Sequence, residues 1–185
     1  ELMEQVRKKY PHLLEEPEEE DQEEEEDEEK LSKSKIITLR SSYKTLSVSE
    51  VQSMPNVSVR KKEEWGFDGH STINHDYNLK TVGGDKVVVD NATGLMWHQS
   101  GSDNYVVWDE VNEWVEDLNS EEGYAGYHDW KLPTVEEAAS LLEANEENGD
   151  LCIDPVFSNK QIYIWTGDKT DYGSEAPWIV YFSIG

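Results

Sequence analysis

Few side chains in this sequence could do covalent or metal chemistry, and their spacing argues against most of it. There is one cysteine, Cys152, so neither an intramolecular disulfide nor a multi-thiolate metal site can form. Between Leu151 and Ile153 it reads as a small buried apolar residue. His70 and His75 are five residues apart, which matches neither one helical face nor one strand face. Gly83-Gly84-Asp85 lacks the rest of a phosphate loop and reads as a turn before a strand. Nucleophile-elbow and zinc-protease signatures are also absent. Asp and Glu total 41, so a carboxylate pair could be drawn almost anywhere and carries no catalytic meaning. The expectation is a protein that is not an enzyme. What remains is contact chemistry. Tyr163, Tyr172, Trp178 and Tyr181 are of types enriched at binding surfaces. Asp168 and Asp171 lie in the polar run 167–174, a loop able to present them.

The charge balance narrows the partner. The formal net charge is −25, and residues 15–29 hold thirteen acids in fifteen positions with no Lys or Arg. The rest of the chain therefore carries −12. Nucleic acid and anionic membrane surfaces are disfavoured, and a protein partner with a basic surface is favoured. No apolar run approaches the roughly 18–20 residues needed to span a bilayer, and no signal peptide is visible. The sequence begins at Glu1 rather than Met. The expectation is a fragment of a longer protein.

Positioning these residues falls to the elements around them. Residues 1–14 have helical spacing (Leu2, Met3, Val6, Tyr10, Leu13, Leu14) and read as the end of an upstream helical domain. Residues 15–35 read as an acidic flexible linker that like-charge repulsion keeps extended. Residues 36–79 read as a lead-in. It comprises a strand at 36–39, a helix at 48–54 capped by Ser47 with Glu50 in the capping box, and a loop at 64–76 pinned by Trp65, Phe67 and Ile73. Residues 80–98 predict a hairpin whose Val87-Val88-Val89 arm does not alternate and so is covered on both faces. Val107, Val111, Trp114, Val115 and Leu118 make one face of a helix over 107–118. Thr134 caps a second helix running to about Asn145, with Glu137 closing the box. Strands follow at 161–166 and 178–183. Trp97, Trp114, Trp130 and Trp165 are expected in the core, and Tyr124, Tyr127 and His128 around a structural turn.

One set of motifs carries a resemblance. Thr93-Gly94-Leu95-Met96-Trp97, Gly126-Tyr127-His128-Asp129-Trp130-Lys131-Leu132-Pro133-Thr134, Ile153-Asp154-Pro155-Val156-Phe157, Ile164-Trp165-Thr166 and Ala176-Pro177-Trp178-Ile179-Val180-Tyr181-Phe182 occur in this order. Over residues 80–185 the chain resembles the bacterial DUF1566 family, also called the Lcl C-terminal domain. The resemblance implies a C-type-lectin-like, formylglycine-generating-enzyme-like fold. That is an α+β domain with a small twisted antiparallel sheet and two flanking amphipathic helices, here preceded by an acidic disordered linker. It implies a recognition module at the C-terminal side of a larger bacterial protein, with the cytoplasm as the expected compartment, and brings no catalytic residues. Formylglycine-generating chemistry uses a cysteine pair, which is lacking here. Val107 departs from the family by standing where a Thr or Ser cap is common. Family members also run on past residue 183 to another strand. Lectin-like folds often bind calcium, and Asp154, Asp168, Asp171 and Ser174 are the residues it would use. Solvated loop acids are the simpler account, and no cofactor or metal is expected.

The functional expectation is a non-enzymatic module that docks a protein partner through Tyr163, Asp168, Asp171, Tyr172, Trp178 and Tyr181. Two alternatives stand beside it. In one, the chain is a protease substrate, cleaved or docked at the linker around Glu15, Glu20, Glu25 and Glu29, as in CRISPR-associated protease systems. In the other, it binds a glycan.

Overall fold

The computed structural model describes residues 36–173 and 176–183. The expected upstream helix, the acidic linker and its Glu15, Glu20, Glu25 and Glu29 lie outside the described residues.

Three small sheets and a few short helices make up the domain, an α+β arrangement that is mainly β. β1 (Thr45–Leu46) pairs in parallel with β7 (Tyr163–Thr170), and β7 pairs antiparallel with β8 (Pro177–Tyr181). β2 (Val57–Glu63) and β3 (Gly66–Ser71) form a separate antiparallel ribbon. β4 (Tyr77–Val82), β5 (Asp85–Asp90) and β6 (Leu95–His98) form the third sheet, with β5 in the middle. Val87 and Val88 have no exposed surface at all, which explains why this arm does not alternate: both faces of β5 are covered.

Helices are shorter than the sequence predicts. α1 (Val48–Val51) keeps its Ser47–Glu50 capping box but stops well before Pro55. The predicted 107–118 helix splits into a 3-10 turn (Trp108–Glu110) and α2 (Val111–Leu118), and Val107 gives no side-chain cap. α3 (Val135–Ala139) has the expected Thr134–Glu137 box but ends at Ser140 instead of running to Asn145. After Ala139 the donors go elsewhere: Leu141 N and Leu142 N donate three residues back, to Ala138 O and Ala139 O, and Glu143 N donates to Cys152 O at 2.9 Å instead of to Ala139 O. His75 Nε2, 2.7 Å from Ser140 O, and Ser71 N, 2.8 Å from Leu142 O, then pair with carbonyls past the helix end.

Residues 36–79 are built into the domain rather than leading up to it. No strand forms at 36–39; Ile37 N donates to Ala92 O instead, and β1 lies nine residues later than the predicted strand begins. Residues 66–71, predicted as loop, are strand β3. Gly69 makes that strand possible, because a Cβ there would lie 2.5 Å from Ser58 O.

The main core joins Leu46, Val51, Val88, the α3 residues Val135, Ala138 and Ala139, then Leu141, Leu142, Ile153 and Phe157, and Trp178, Val180 and Phe182 from the last strand region. Cys152 is free and buried, as its neighbours suggested. The four tryptophans expected there are only half-buried, whereas Trp178 is 7 % exposed. Among the described residues no helix is long and apolar enough to cross a membrane.

Candidate functional site

Two buried carboxylates hold the frame of the site. Asp168 was expected on an exposed loop. β7 continues through Thr170, so Asp168 is inside a strand and its side chain has no exposed surface. Arg40 donates through Nη1 to Oδ1 at 2.9 Å and through Nη2 to Oδ2 at 2.6 Å. Lys44 N donates to Oδ1 at 2.7 Å and Val135 N to Oδ2 at 2.8 Å. Burial alone would push this carboxyl up, but these four bonds and the Arg40 charge hold it below its ordinary value. Asp168 therefore ties residues 40–44 and the start of α3 to β7. It is not available to a partner or to calcium.

Asp90, at the end of β5, does the same for the other side of the core. It has no exposed surface and accepts from Thr93 Oγ1 at 2.5 Å, Ala92 N at 3.1 Å and Asp76 N at 3.3 Å. His75 Nδ1 lies 2.7 Å from Asp90 Oδ2. Both ring nitrogens of His75 thus face acceptors, Asp90 and Ser140 O, and only the protonated ring satisfies both. Burial pushes the imidazole down; the Asp90 hydrogen bond and charge, with the Ser140 carbonyl, outweigh it and leave the pKa raised. The ring stacks on Tyr77 at 4.9 Å with 6° between planes.

Above this frame a groove of about 560 Å³ opens between the β2–β3 turn and β8. Its floor is apolar: Val48, Val51, Phe67, Val135, Ala139 and Leu142, with Trp178 and Val180 from β8. Its rim carries Glu63, Glu64, Asp68 and Asp171, and no Lys, Arg or His lines it. Trp65 and Tyr172 stand at one end with rings 4.8 Å apart, edge to face, and are 58 % and 66 % exposed. The Trp178 indole N–H is buried without a hydrogen-bond partner.

Four of the six sequence-predicted site residues, Asp171, Tyr172, Trp178 and Tyr181, line this groove. Trp178 contributes a buried face rather than an exposed one. Tyr163 lies beside it, opposite Tyr181 in the β7–β8 register with rings 5.2 Å apart. The Tyr163 hydroxyl is pushed up to about 12, chiefly by its hydrogen bond with Tyr105. Asp168 is beneath the site. The opposite wall, Glu63, Glu64, Trp65 and Asp68, was missed. Trp65 was expected to pin a loop; the strand pairing instead places Glu64-Trp65 at the two-residue turn between β2 and β3, where the ring is exposed.

A second cavity of about 400 Å³ is lined by Trp97, Trp114, Tyr127, Trp130 and Trp165 with Lys131 and Asp129. Its His98 stacks on Tyr124 at 4.1 Å, and His98 Nδ1 accepts from Gly101 N at 2.9 Å. Burial pushes His98 down, so this ring is held neutral. Tyr124 has the structural part expected of it, its hydroxyl donating to Lys86 O at 3.0 Å. Among the described residues no three His, Cys, Asp or Glu side chains group as a metal ligand set.

Residues 86–185 match the family model of the Lcl C-terminal domain. No curated protein and no solved structure matches the chain.

Proposed function

The chain belongs to the Lcl C-terminal domain family, and we propose that it is a recognition module, without enzymatic activity, that docks a protein partner bearing a basic segment. The observation that carries this is the groove's division of labour: an apolar floor inside a rim of Glu63, Glu64, Asp68 and Asp171, with no cation lining it. Apolar contact supplies affinity, while opposite charge sets orientation and excludes acidic partners. We also propose that the domain is C-type-lectin-like, a small twisted antiparallel sheet with two flanking amphipathic helices and long loops on one side. The test uses a Lys-rich peptide and the double charge reversal Glu64→Lys with Asp171→Lys. The wild-type chain is expected to bind the peptide and lose it with rising salt. Equal binding by the reversed variant would overturn the reading.

A glycan is the second reading, favoured by the aromatic cavity around Trp97 and Trp130, whose Trp97 indole N–H is buried without a partner. Trp97→Phe separates the two, because it touches the cavity and not the groove. The cleavage reading rests on residues 15–29, outside the described part of the chain.

A further inference from the structure

β8 is an open sheet edge. β7 pairs with it on one side, and among the described residues no strand pairs with the other. Alternation decides which main-chain groups face outward. Phe182 N donates to Ile162 O, and the Thr166 hydroxyl donates to Trp178 O. The even positions therefore turn toward β7, and Ile179 and Tyr181 turn their N–H and C=O groups away from it. All five residues of β8 line the groove, so this edge faces into it. An unpaired edge is a template for another strand, and proteins commonly block one with Lys or a covering element. β8 reads Pro177-Trp178-Ile179-Val180-Tyr181, with no charge.

The rim decides what kind of strand fits. Four carboxylates bound the groove and no cation lines it; Lys61, on the adjoining strand, is already ion-paired with Glu63. An acidic segment such as residues 15–29, with thirteen carboxylates, would be repelled. A second copy of a chain carrying −25 is disfavoured for the same reason.

We propose that the groove takes an extended basic peptide from another protein, which adds to β8 as a strand. Its main chain bonds to Ile179 and Tyr181, its apolar side chains cover the floor, and its Lys or Arg side chains meet Glu64, Asp68 and Asp171. The inference rests on the docking reading above and specifies how docking is done. The five residues of β8 span about 17 Å, which suits a peptide of about five to seven residues.

Calorimetry on the full chain tests it with four probes: an acetylated, amidated peptide of alternating Lys and Val, two versions N-methylated on either alternate set of residues, and a Glu–Val counterpart. Strand addition uses only one edge of the peptide. One methylated version is therefore expected to lose at least about tenfold in affinity, about 1.4 kcal/mol, while the other binds like the parent. The Glu–Val peptide is expected not to bind. If both methylated versions bind like the parent, or both lose equally, strand addition is overturned and docking by side chains stands. If the Lys–Val peptide does not bind, or the Glu–Val peptide binds as well, the docking reading falls too.

Discussion

Arg40 and Asp168 lie 128 residues apart in sequence and meet as a two-pronged ion pair, Nη1 to Oδ1 at 2.9 Å and Nη2 to Oδ2 at 2.6 Å. The pair joins residues 36–44 to β7, and the same carboxylate holds the first N–H of α3. One buried acid thus fixes three parts of the chain beneath the groove.

Removing that acid should be among the most damaging single changes. Asp168→Ala leaves the Arg40 guanidinium, Lys44 N and Val135 N without their acceptor, and one-sided loss of a buried pair costs about 3–5 kcal/mol. Urea unfolding should show a lower midpoint. The wild-type protein should also be acid-sensitive through this group. The Asp168 pKa is lowered on folding, so its stabilisation is present above the ordinary carboxyl value of about 3.9 and is lost as pH falls through the folded value. That acid step should be missing from the variant's pH profile.

His75 sets the opposite limit. Its pKa is raised in the fold, so its stabilisation is complete below about pH 6.5 and fades as pH rises through the folded value. Asp90 is lowered, so its own contribution holds above about pH 3.9 and is lost in acid. The charges facing the ring are Asp90 and Glu143. The wild-type chain should lose stability as pH rises from about 6.5 through the folded His75 value, and His75→Gln should lack that step. Unfolding midpoints across the pH range check it.

Thr134 closes a local box and a distant contact together. Its hydroxyl accepts from Glu137 N at 3.1 Å and donates to Arg40 O at 2.8 Å. Thr134→Ala should destabilise by about 1–3 kcal/mol, the cap and one buried acceptor combined. Thr134→Ser, which keeps the hydroxyl, should recover most of this in the same urea titration.

Trp65 and Tyr172 should behave as contact residues and not as core. Both are largely exposed, so Trp65→Ala should change stability by no more than about 0.5 kcal/mol. The same change should weaken binding of a Lys–Val peptide by about 2 kcal/mol if Trp65 anchors it. Paired unfolding and binding titrations separate the two effects.

What was legible in the sequence was local. The Ser47–Glu50 and Thr134–Glu137 boxes start helices where expected, because a capping box needs only four neighbouring residues. The β5–β6 hairpin was visible in the β-branched run and its turn. What was hidden depends on distant partners. β3 looked like loop because Gly and Asp are poor strand formers, yet Gly69 is what lets the Ser58 carbonyl approach. α3 ends early because Glu143 N is drawn to the distant Cys152 carbonyl instead of to Ala139 O. Asp168 looked like a loop acid because nothing nearby in sequence announces Arg40. At the site, the aromatics of β8 and the following loop were found from composition, but the facing wall at Glu63–Asp68 required knowing that β2–β3 folds back beside β8.

The most direct test follows the indole N–H signals of the seven tryptophans by nuclear magnetic resonance while the Lys–Val peptide is added to the full chain. The expected result is that Trp65 and Trp178, which line the groove, shift with the peptide and return toward their free positions as salt is raised, while Trp97, Trp114 and Trp130 stay in place. Shifts confined to Trp97, Trp114 and Trp130, around the second cavity, or no shift in any of the seven, would contradict the account.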